Sequence, residues 1–104
     1  MLTEGHMKAV SITKMQKASD QICKLLRVIS NPDRLMIIFL LSKGEKCVGE
    51  IEESLSLFQP TLSQQLAVLR KENLVSTRRV GKNIYYQLEG IWALPVIQTL
   101  YHQK

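Results

Sequence analysis

Apolar residues recur at helical spacing through the first half of the chain. Residues 14–30 (KMQKASDQICKLLRVIS) carry one apolar stripe, which predicts an amphipathic helix. Asn31 then suits the N-cap of a second helix, Pro32 suits its first position, and Gly44 lies just past its end. This second helix is apolar on nearly all sides, so we expect it to be the central, buried one.

Two further helical segments follow. Residues 47–57 (CVGEIEESLSL) have apolar residues on one side and predict a short third helix. Residues 58–75 (FQPTLSQQLAVLRKENLV) predict a fourth, with Pro60 in its first turn and Asn73 as a residue that commonly stops a helix. The buried face of this fourth helix is formed by leucines at i, i+4 and i+7, namely Leu62, Leu66 and Leu69.

The apolar period changes to two in residues 74–88 (LVSTRRVGKNIYYQL), and the turn-like VGKN at the centre predicts a β-hairpin. Residues 90–104 return to helical spacing, with Pro95 either in the first turn or at a kink. The resulting fold is mainly α with a small β-hairpin, in the order α-α-α-α-β-β-α of a winged helix-turn-helix. We expect this single domain over residues 15–104, after a flexible tail over residues 1–14.

The polar residues of the fourth predicted helix are suited to nucleic acid. Hydroxyls and amides fill its first turns, where glutamine can bond bidentately to adenine and the helix N-terminus favours a phosphate. The contacts expected from this segment are Gln59, Thr61, Ser63, Gln64 and Gln65. Basic and amide side chains at the end of the helix and at the hairpin tip suit phosphates or the negative minor groove. These are Arg70, Lys71, Arg78, Arg79, Lys82 and Asn83.

Charge is segregated along the chain in the same sense. The 104 residues carry a formal net charge of +5, and the pI is near 9.4. Residues 56–82 hold an excess of four positive charges, whereas the charged residues of 45–53 are net negative by three. This segregation indicates a face for a polyanion, with double-stranded DNA as the expected partner. Since so short a chain has a thin core, a homodimer is expected as well.

Other classes of protein find little support. The longest apolar run, residues 35–41 (LMIIFLL), is far shorter than the roughly 20 residues that span a bilayer, and no signal peptide is visible. Two cysteines do not make a secreted disulfide framework, so we expect a cytoplasmic protein with reduced thiols. We find no catalytic triad, no phosphate-binding glycine loop and no useful carboxylate pair. The sequence predicts no enzyme and no cofactor.

Four segments, LLRVISNPDRLMIIFLL, CVGEI, QPTLSQQLAVLRKENLV and TRRVGKNIYYQL, together resemble the ArsR/SmtB family of bacterial winged-helix repressors. The resemblance runs from about Lys17 to Tyr101. It implies a homodimer, formed through the first and last helices, that leaves operator DNA when an effector binds. It also places QPTLSQQL at the recognition helix, where the contacts it implies are Gln59, Thr61, Ser63 and Gln64. Family members usually have histidine at the position of Gln65.

Effector sensing is where the chain departs from this family. Metal-sensing members often carry C-x-C in the third helix, but here Cys47 is kept and Gly49 stands at the position of the second cysteine. The ligands of the last helix are reduced to His102. A branch that resembles sulfide, biofilm and haemolysin regulators senses reactive sulfur through two cysteines, where this chain has Phe39 and His102. We therefore expect no metal site. A thiol switch through Cys23 and Cys47 and a regulator without any switch are both open.

The two cysteines have different expectations. Cys23 lies on the apolar stripe of the first predicted helix and can equally be a small buried hydrophobe. Cys47 stands at a helix start, where the dipole favours a thiolate.

One alternative function also stands beside DNA binding. A winged helix can act as a protein-binding module, and salt-dependent affinity for DNA would discriminate between the two.

Overall fold

The computed structural model describes residues 10–89 and 92–103. The helices and strands, in chain order, are α1 (Ile12–Ile29), α2 (Pro32–Leu41), β1 (Lys46–Cys47), α3 (Val48–Leu55), α4 (Thr61–Lys71), β2 (Val75–Val80), β3 (Asn83–Leu88) and α5 (Ala93–His102). The predicted order of four helices, a hairpin and a last helix is confirmed. One short strand, β1, adds to it.

Helix α1 begins earlier than its apolar stripe indicated. Ser11 is the N-cap, and its side-chain oxygen accepts a hydrogen bond from the backbone N–H of Lys14 at 3.1 Å. This cap starts the helix at Ile12, so the boundary expected at residue 14 falls inside its first turn. Residues 1–9, which make up most of the expected tail, lie outside the described residues.

Helix α2 begins as predicted and lies at the centre of the fold. The Oδ1 of Asn31 accepts from the backbone N–H of Arg34 at 3.0 Å, and Pro32 occupies the first helical position. Ile37 and Ile38 are fully buried. The expectation of burial on nearly all sides is wrong for the single chain, because Met36 and Phe39 on one side of α2 are partly exposed. These two side chains are 45% and 44% exposed.

Strand β1 was not predicted, since two residues are too few to show a period. Lys46 pairs with Tyr86 and Cys47 with Tyr85, which makes an antiparallel sheet of order β1-β3-β2. The predicted third helix is therefore shorter at its start, because Cys47 ends β1 and serves as the N-cap of α3. The sheet thus ties the loop after α2 to the hairpin.

Helix α4 forms over the central part of its predicted segment. Phe58 and Gln59 belong to the turn before it, and the backbone N–H of Leu62 donates to the carbonyl oxygen of Phe58 at 2.9 Å. Asn73 has φ 61°, the left-handed conformation of a residue that ends a helix. The predicted buried face is confirmed, and its residues are Leu62, Leu66 and Leu69.

The core lies where α2, α3 and α4 meet the inner face of the sheet. Its buried residues are Val28, Ile29, Ile37, Ile38, Leu41, Ile51, Leu62, Leu66, Leu69, Leu74, Val75 and Ala93. Helix α5 begins at Ala93, so Pro95 lies in its first turn, where it interrupts no helical hydrogen bond. None of the helices in the described part of the chain is long and apolar enough to cross a membrane.

Much of the predicted apolar stripe of α1 is exposed in the described part of the chain. Only its C-terminal end, at Val28 and Ile29, enters the core. The exposed apolar side chains of α1 and α5, called here the uncovered face, are Ile12, Met15, Ile22, Leu26, Leu100 and Tyr101. Large apolar side chains exposed along a helical stripe indicate a surface that another molecule covers.

Candidate nucleic-acid interface

The first turns of α4 present polar side chains to solvent. Thr61, Ser63 and Gln64 are exposed because the leucines between them face the core. Arg70 and Lys71 are exposed at the other end of the same helix. The structure therefore brings five of the predicted contacts onto one helix, with neutral hydrogen-bonding groups first and cations last.

Gln59 and Ser63 are held together at the start of α4. The Oε1 of Gln59 accepts a hydrogen bond from the backbone N–H of Ser63 at 3.0 Å and another from its hydroxyl. The first N–H groups of a helix have no helical partner, so this side chain acts as a cap. The amide nitrogen of Gln59 keeps its two hydrogen atoms, which are available as donors at the exposed end of α4.

Gln65 is separated from this exposed set. Its side chain is half-buried, and its Oε1 accepts a hydrogen bond from the Nη1 of Arg34 at 2.8 Å. Arg34 lies in the first turn of α2, 31 residues earlier in the chain. No local spacing connects two residues so far apart, which is why sequence analysis missed Arg34.

The hairpin places its two arginines on opposite faces. Successive residues of a strand alternate between faces, and directly paired residues share one. Arg78 is paired with Tyr85, whereas Arg79 is paired with Ile84 on the face that also carries Tyr86. Since Tyr86 packs against the core and borders α4, Arg79 shares the face of the hairpin that looks towards α4.

Arg78 already has a partner within the protein. Its Nε lies 3.0 Å from each carboxylate oxygen of Glu45, and its Nη2 also donates to that carboxylate. Its guanidinium stands 5.3 Å from the centre of the Tyr85 ring. The hydrogen bond from Arg78 holds the pKa of the Glu45 carboxyl below its ordinary value, and the carboxylate raises the pKa of Arg78.

The remaining predicted wing residues are exposed and lie near the hairpin tip. Arg79, Lys82 and Asn83 surround the turn, where Gly81 has φ 60°. A positive φ at this point favours glycine and lets the chain reverse within two residues. The tip thus presents two cations and one amide beside each other.

A cleft separates α4 from β3. It has a volume of about 360 Å³, and its lining residues are Ser63, Leu66, Ala67, Arg70, Lys71 and Tyr86. Two cations and a phenol therefore surround a floor that includes a buried leucine. Tyr86 was absent from the predicted contacts.

The two cysteines are free thiols in separate elements. Cys23 is exposed on α1, which contradicts the reading of this residue as a small buried hydrophobe. Cys47 is half-buried, and its backbone N–H donates to the Oε1 of Glu50 at 2.9 Å. That hydrogen bond, together with one from the thiol, lowers the pKa of the Glu50 carboxyl. Within residues 10–89 and 92–103, no three His, Cys, Asp or Glu side chains converge as metal ligands.

A short helix, a tight connection and an exposed polar helix beside a basic hairpin define the winged-helix class of DNA-binding proteins. Residues 31–77 match the family described as "Bacterial regulatory protein, arsR family". Together with the relatives below, this match establishes that the chain belongs to the arsR family of bacterial regulatory proteins. The predicted membership and fold class are confirmed.

Similar proteins are named as regulators. A "Biofilm growth-associated repressor" of Xylella fastidiosa (strain Temecula1) is 44% identical over 87 residues, covering 84% of this chain and 76% of the relative. The "Transcriptional activator HlyU" of Vibrio cholerae is 35% identical over 92 residues, covering 88% and 85%. The family match and the similar repressor of Xylella fastidiosa confirm the prediction of a DNA-binding transcriptional repressor of this family and not an enzyme.

Solved structures share the fold over nearly the whole chain. The repressor BigR from Xylella fastidiosa has a TM-score of 0.82 at 41% identity, covering 89% of this chain and 95% of BigR. Reduced HlyU from Vibrio cholerae has a TM-score of 0.79 at 35% identity, covering 88% and 97%. The arrangement of helices and hairpin described above is therefore that of this family.

Proposed function

We propose that the chain binds a two-fold operator as a homodimer and represses transcription until an effector releases it. The observation that carries this proposal is the exposed polar start of α4 beside a basic hairpin, in a member of the arsR family. A dimer of this kind places its two recognition helices in successive major grooves, about 34–36 Å apart. Because it acts on operator DNA, we place the protein in the bacterial cytoplasm.

Base recognition falls to the start of α4. Gln64 is exposed there, and its amide can donate to N7 of adenine while its carbonyl oxygen accepts from the N6 amino group. Thr61 offers a hydroxyl and a methyl group, and the amide nitrogen of Gln59 offers donors. The hydroxyl of Ser63 donates to Gln59 and holds that capping side chain in place. Ser63 can also contact DNA at short range.

The cleft and the hairpin tip are the parts of the protein that contact the DNA backbone and minor groove. A helix in the major groove and a hairpin in the adjacent minor groove must straddle the phosphate strand that separates these grooves. The cleft between α4 and β3 lies in that position and is lined by Arg70, Lys71 and Tyr86. Arg79, Lys82 and Asn83 then reach the minor groove, where negative potential attracts cations.

Two of the predicted DNA contacts receive a different role. Arg78 is bound by Glu45 and covers Tyr85, so we assign it to holding the hairpin against β1. Gln65 is bound by Arg34 and faces away from the exposed side of α4. These assignments leave nine of the eleven predicted residues as DNA contacts.

A second copy of the chain is the molecule that covers the uncovered face. The exposed apolar residues lie on α1 and α5, the two helices that form the dimer in the family this chain resembles. Isologous pairing would bury the same set on both copies, which removes apolar area from water twice. This pairing also supplies the two-fold axis that a palindromic operator requires.

A thiol switch is the effector mechanism we propose for this dimer. Both cysteines are free, and Cys23 lies on α1, among the residues of the uncovered face. A relative of similar fold has been solved in its reduced form, which supports a role for redox state. Oxidation or persulfidation of Cys23 would place a new group within the dimer interface, and Cys47 would respond at the start of α3.

The test of DNA binding is operator selection from random duplexes with the reduced protein, followed by affinity measurements from 50 to 500 mM salt. We expect a palindromic site whose affinity falls steeply with salt, as phosphate contacts require. The variant Gln64→Ala is then compared with a control, Glu53→Ala, at an exposed residue of α3. Gln64→Ala should weaken binding, and Glu53→Ala should not. Failure to select any site would favour the protein-binding module instead.

The test of the thiol switch compares the wild type with Cys23→Ser, Cys47→Ser and the double variant. We expect polysulfide or peroxide to release the wild type from its operator and to leave the double variant bound. The single variants tell whether one thiol is enough. Release of the double variant to the same extent as the wild type would remove the switch and keep the repressor.

A further inference from the structure

Arg34 joins the end of α1 to the start of α2. Its Nε donates to the carbonyl oxygen of Val28 at 2.5 Å, and its Nη2 donates to that of Arg27 at 3.2 Å. Both carbonyls belong to the last turn of α1, where that of Arg27 also accepts from the backbone N–H of Ser30 at 3.3 Å. The cation therefore caps the C-terminus of α1 and complements the negative end of its dipole.

The same guanidinium also reaches α4. Its Nη1 donates to the Oε1 of Gln65 at 2.8 Å, and both side chains are half-buried. A guanidinium is planar, and its five N–H groups leave in fixed directions. With one edge on α1 and another on α4, Arg34 fixes the separation of these two helices in a way that a flexible side chain does not.

The two helices joined in this way have different tasks in the proposed dimer. Helix α1 carries apolar residues of the uncovered face, so it is fixed relative to the two-fold axis. Helix α4 carries the base contacts. Its placement relative to α1 therefore sets the distance and angle between the two recognition helices of a dimer.

We infer that Arg34 is a positioning residue that acts through Gln65 to set the half-site spacing the dimer accepts. This inference rests on the proposed function, since spacing has meaning only for a dimer on DNA. The leucines of α4, Leu62, Leu66 and Leu69, anchor the helix in the core by apolar contact, which tolerates small rotations. The hydrogen bond at Gln65 is directional and removes that freedom.

The test measures affinity of the reduced protein for its selected operator and for versions with one base pair added to or removed from the centre. Each such change moves one half-site by about 3.4 Å and rotates it by about 34°. We expect wild type to prefer the selected spacing. In Gln65→Leu, the ratio of affinities between selected and altered spacing should fall by about 10- to 100-fold, the loss given by one hydrogen bond to a charged group.

A matched control is Gln64→Leu, the same substitution at the neighbouring residue, which is exposed. It should lower affinity for all spacings by a similar factor and leave their ratio unchanged. Arg34→Lys keeps the charge but lacks the planar fork, so it should reduce the ratio as Gln65→Leu does. The double variant should lose no more than Arg34→Lys alone, because Arg34→Lys already removes the hydrogen bond that Gln65→Leu removes.

The outcomes separate the two proposals. Unchanged spacing preference in a folded Gln65→Leu or Arg34→Lys, or additive losses in the double variant, would overturn the inference and leave DNA binding intact. Absence of any operator for the wild type would overturn the proposed function and the inference with it. Far-ultraviolet circular dichroism establishes folding, and Gln65→Glu, which retains an acceptor for Arg34, should restore the spacing ratio.

Discussion

Two adjacent arginines of the hairpin should differ sharply in their contribution to DNA binding. We consider Arg78→Gln and Arg79→Gln, which remove the same charge from neighbouring positions of one strand. Arg79 is exposed on the face that looks towards α4, whereas Arg78 lies on the other face, bound to Glu45. Counted together, Arg78 and Glu45 carry no net charge, so the pair has little attraction for a phosphate.

The magnitude follows from counterion release. Each phosphate neutralised by a free cation adds about 0.9 to the slope of log affinity against log salt. Loss of Arg79 should therefore flatten the slope by about 0.9. If the effect vanishes near 1 M salt, the affinity falls about 15-fold at 50 mM and about 4-fold at 200 mM. Loss of Arg78 should leave the slope unchanged. It should lower the affinity only because the hairpin is then held less firmly against β1.

Fluorescence anisotropy with a labelled operator, at six salt concentrations between 50 and 500 mM, gives both slopes directly. The thermal midpoint of each variant shows whether the hairpin remains folded. An equal loss of slope in Arg78→Gln and Arg79→Gln would refute the reasoning. It would mean that Arg78 exchanges Glu45 for a phosphate when DNA is bound. The face of the sheet on which an arginine lies in the free protein would then not determine whether it contacts a phosphate.

Three further predictions concern the cleft, the dimer and the wing. Tyr86→Phe removes a hydroxyl at the cleft and should weaken operator binding by about 3- to 10-fold with an unchanged salt slope, as expected for a neutral hydrogen bond. The control Tyr85→Phe should have no effect. Equal effects of the two variants would contradict the assignment of Tyr86 to the DNA contact. Leu26→Glu places a charge on the uncovered face and should give a monomer in sedimentation velocity with folded secondary structure, so a persistent dimer would show that α1 is not in the interface. The pKa of Glu45 is lowered, so the ion pair stabilises the fold above the ordinary value of 4.5 and this contribution is lost as the pH falls through the lowered pKa. Glu45→Gln should accordingly lower the thermal midpoint at pH 7, and the difference from the wild type should shrink as the pH falls through the lowered pKa. A difference that does not shrink on acidification would point to a cause other than this charge.

The order of elements and the buried face of α4 were predictable because both depend on residues close together in the chain. The spacing of Leu62, Leu66 and Leu69 fixes one face of a helix wherever that helix lies, and all three are buried. Asn31 and Pro32 likewise mark the start of α2 through contacts within one turn. Strand β1 was missed because two residues carry no period, and its pairing with β3 depends on residues almost forty positions later.

Among the candidate contacts, the residue types that α4 and the hairpin offer could be predicted, since helical and strand periods separate polar from apolar positions locally. Which of these side chains are free to contact DNA depends on the folded arrangement. Gln64 and Gln65 are neighbours of the same type, yet one is exposed and the other is bound by Arg34. Arg78 and Arg79 differ in the same way because Glu45, 33 residues before Arg78, reaches one face of the sheet and not the other. Such choices depend on partners that the fold brings together across the chain, and local spacing carries no information about them.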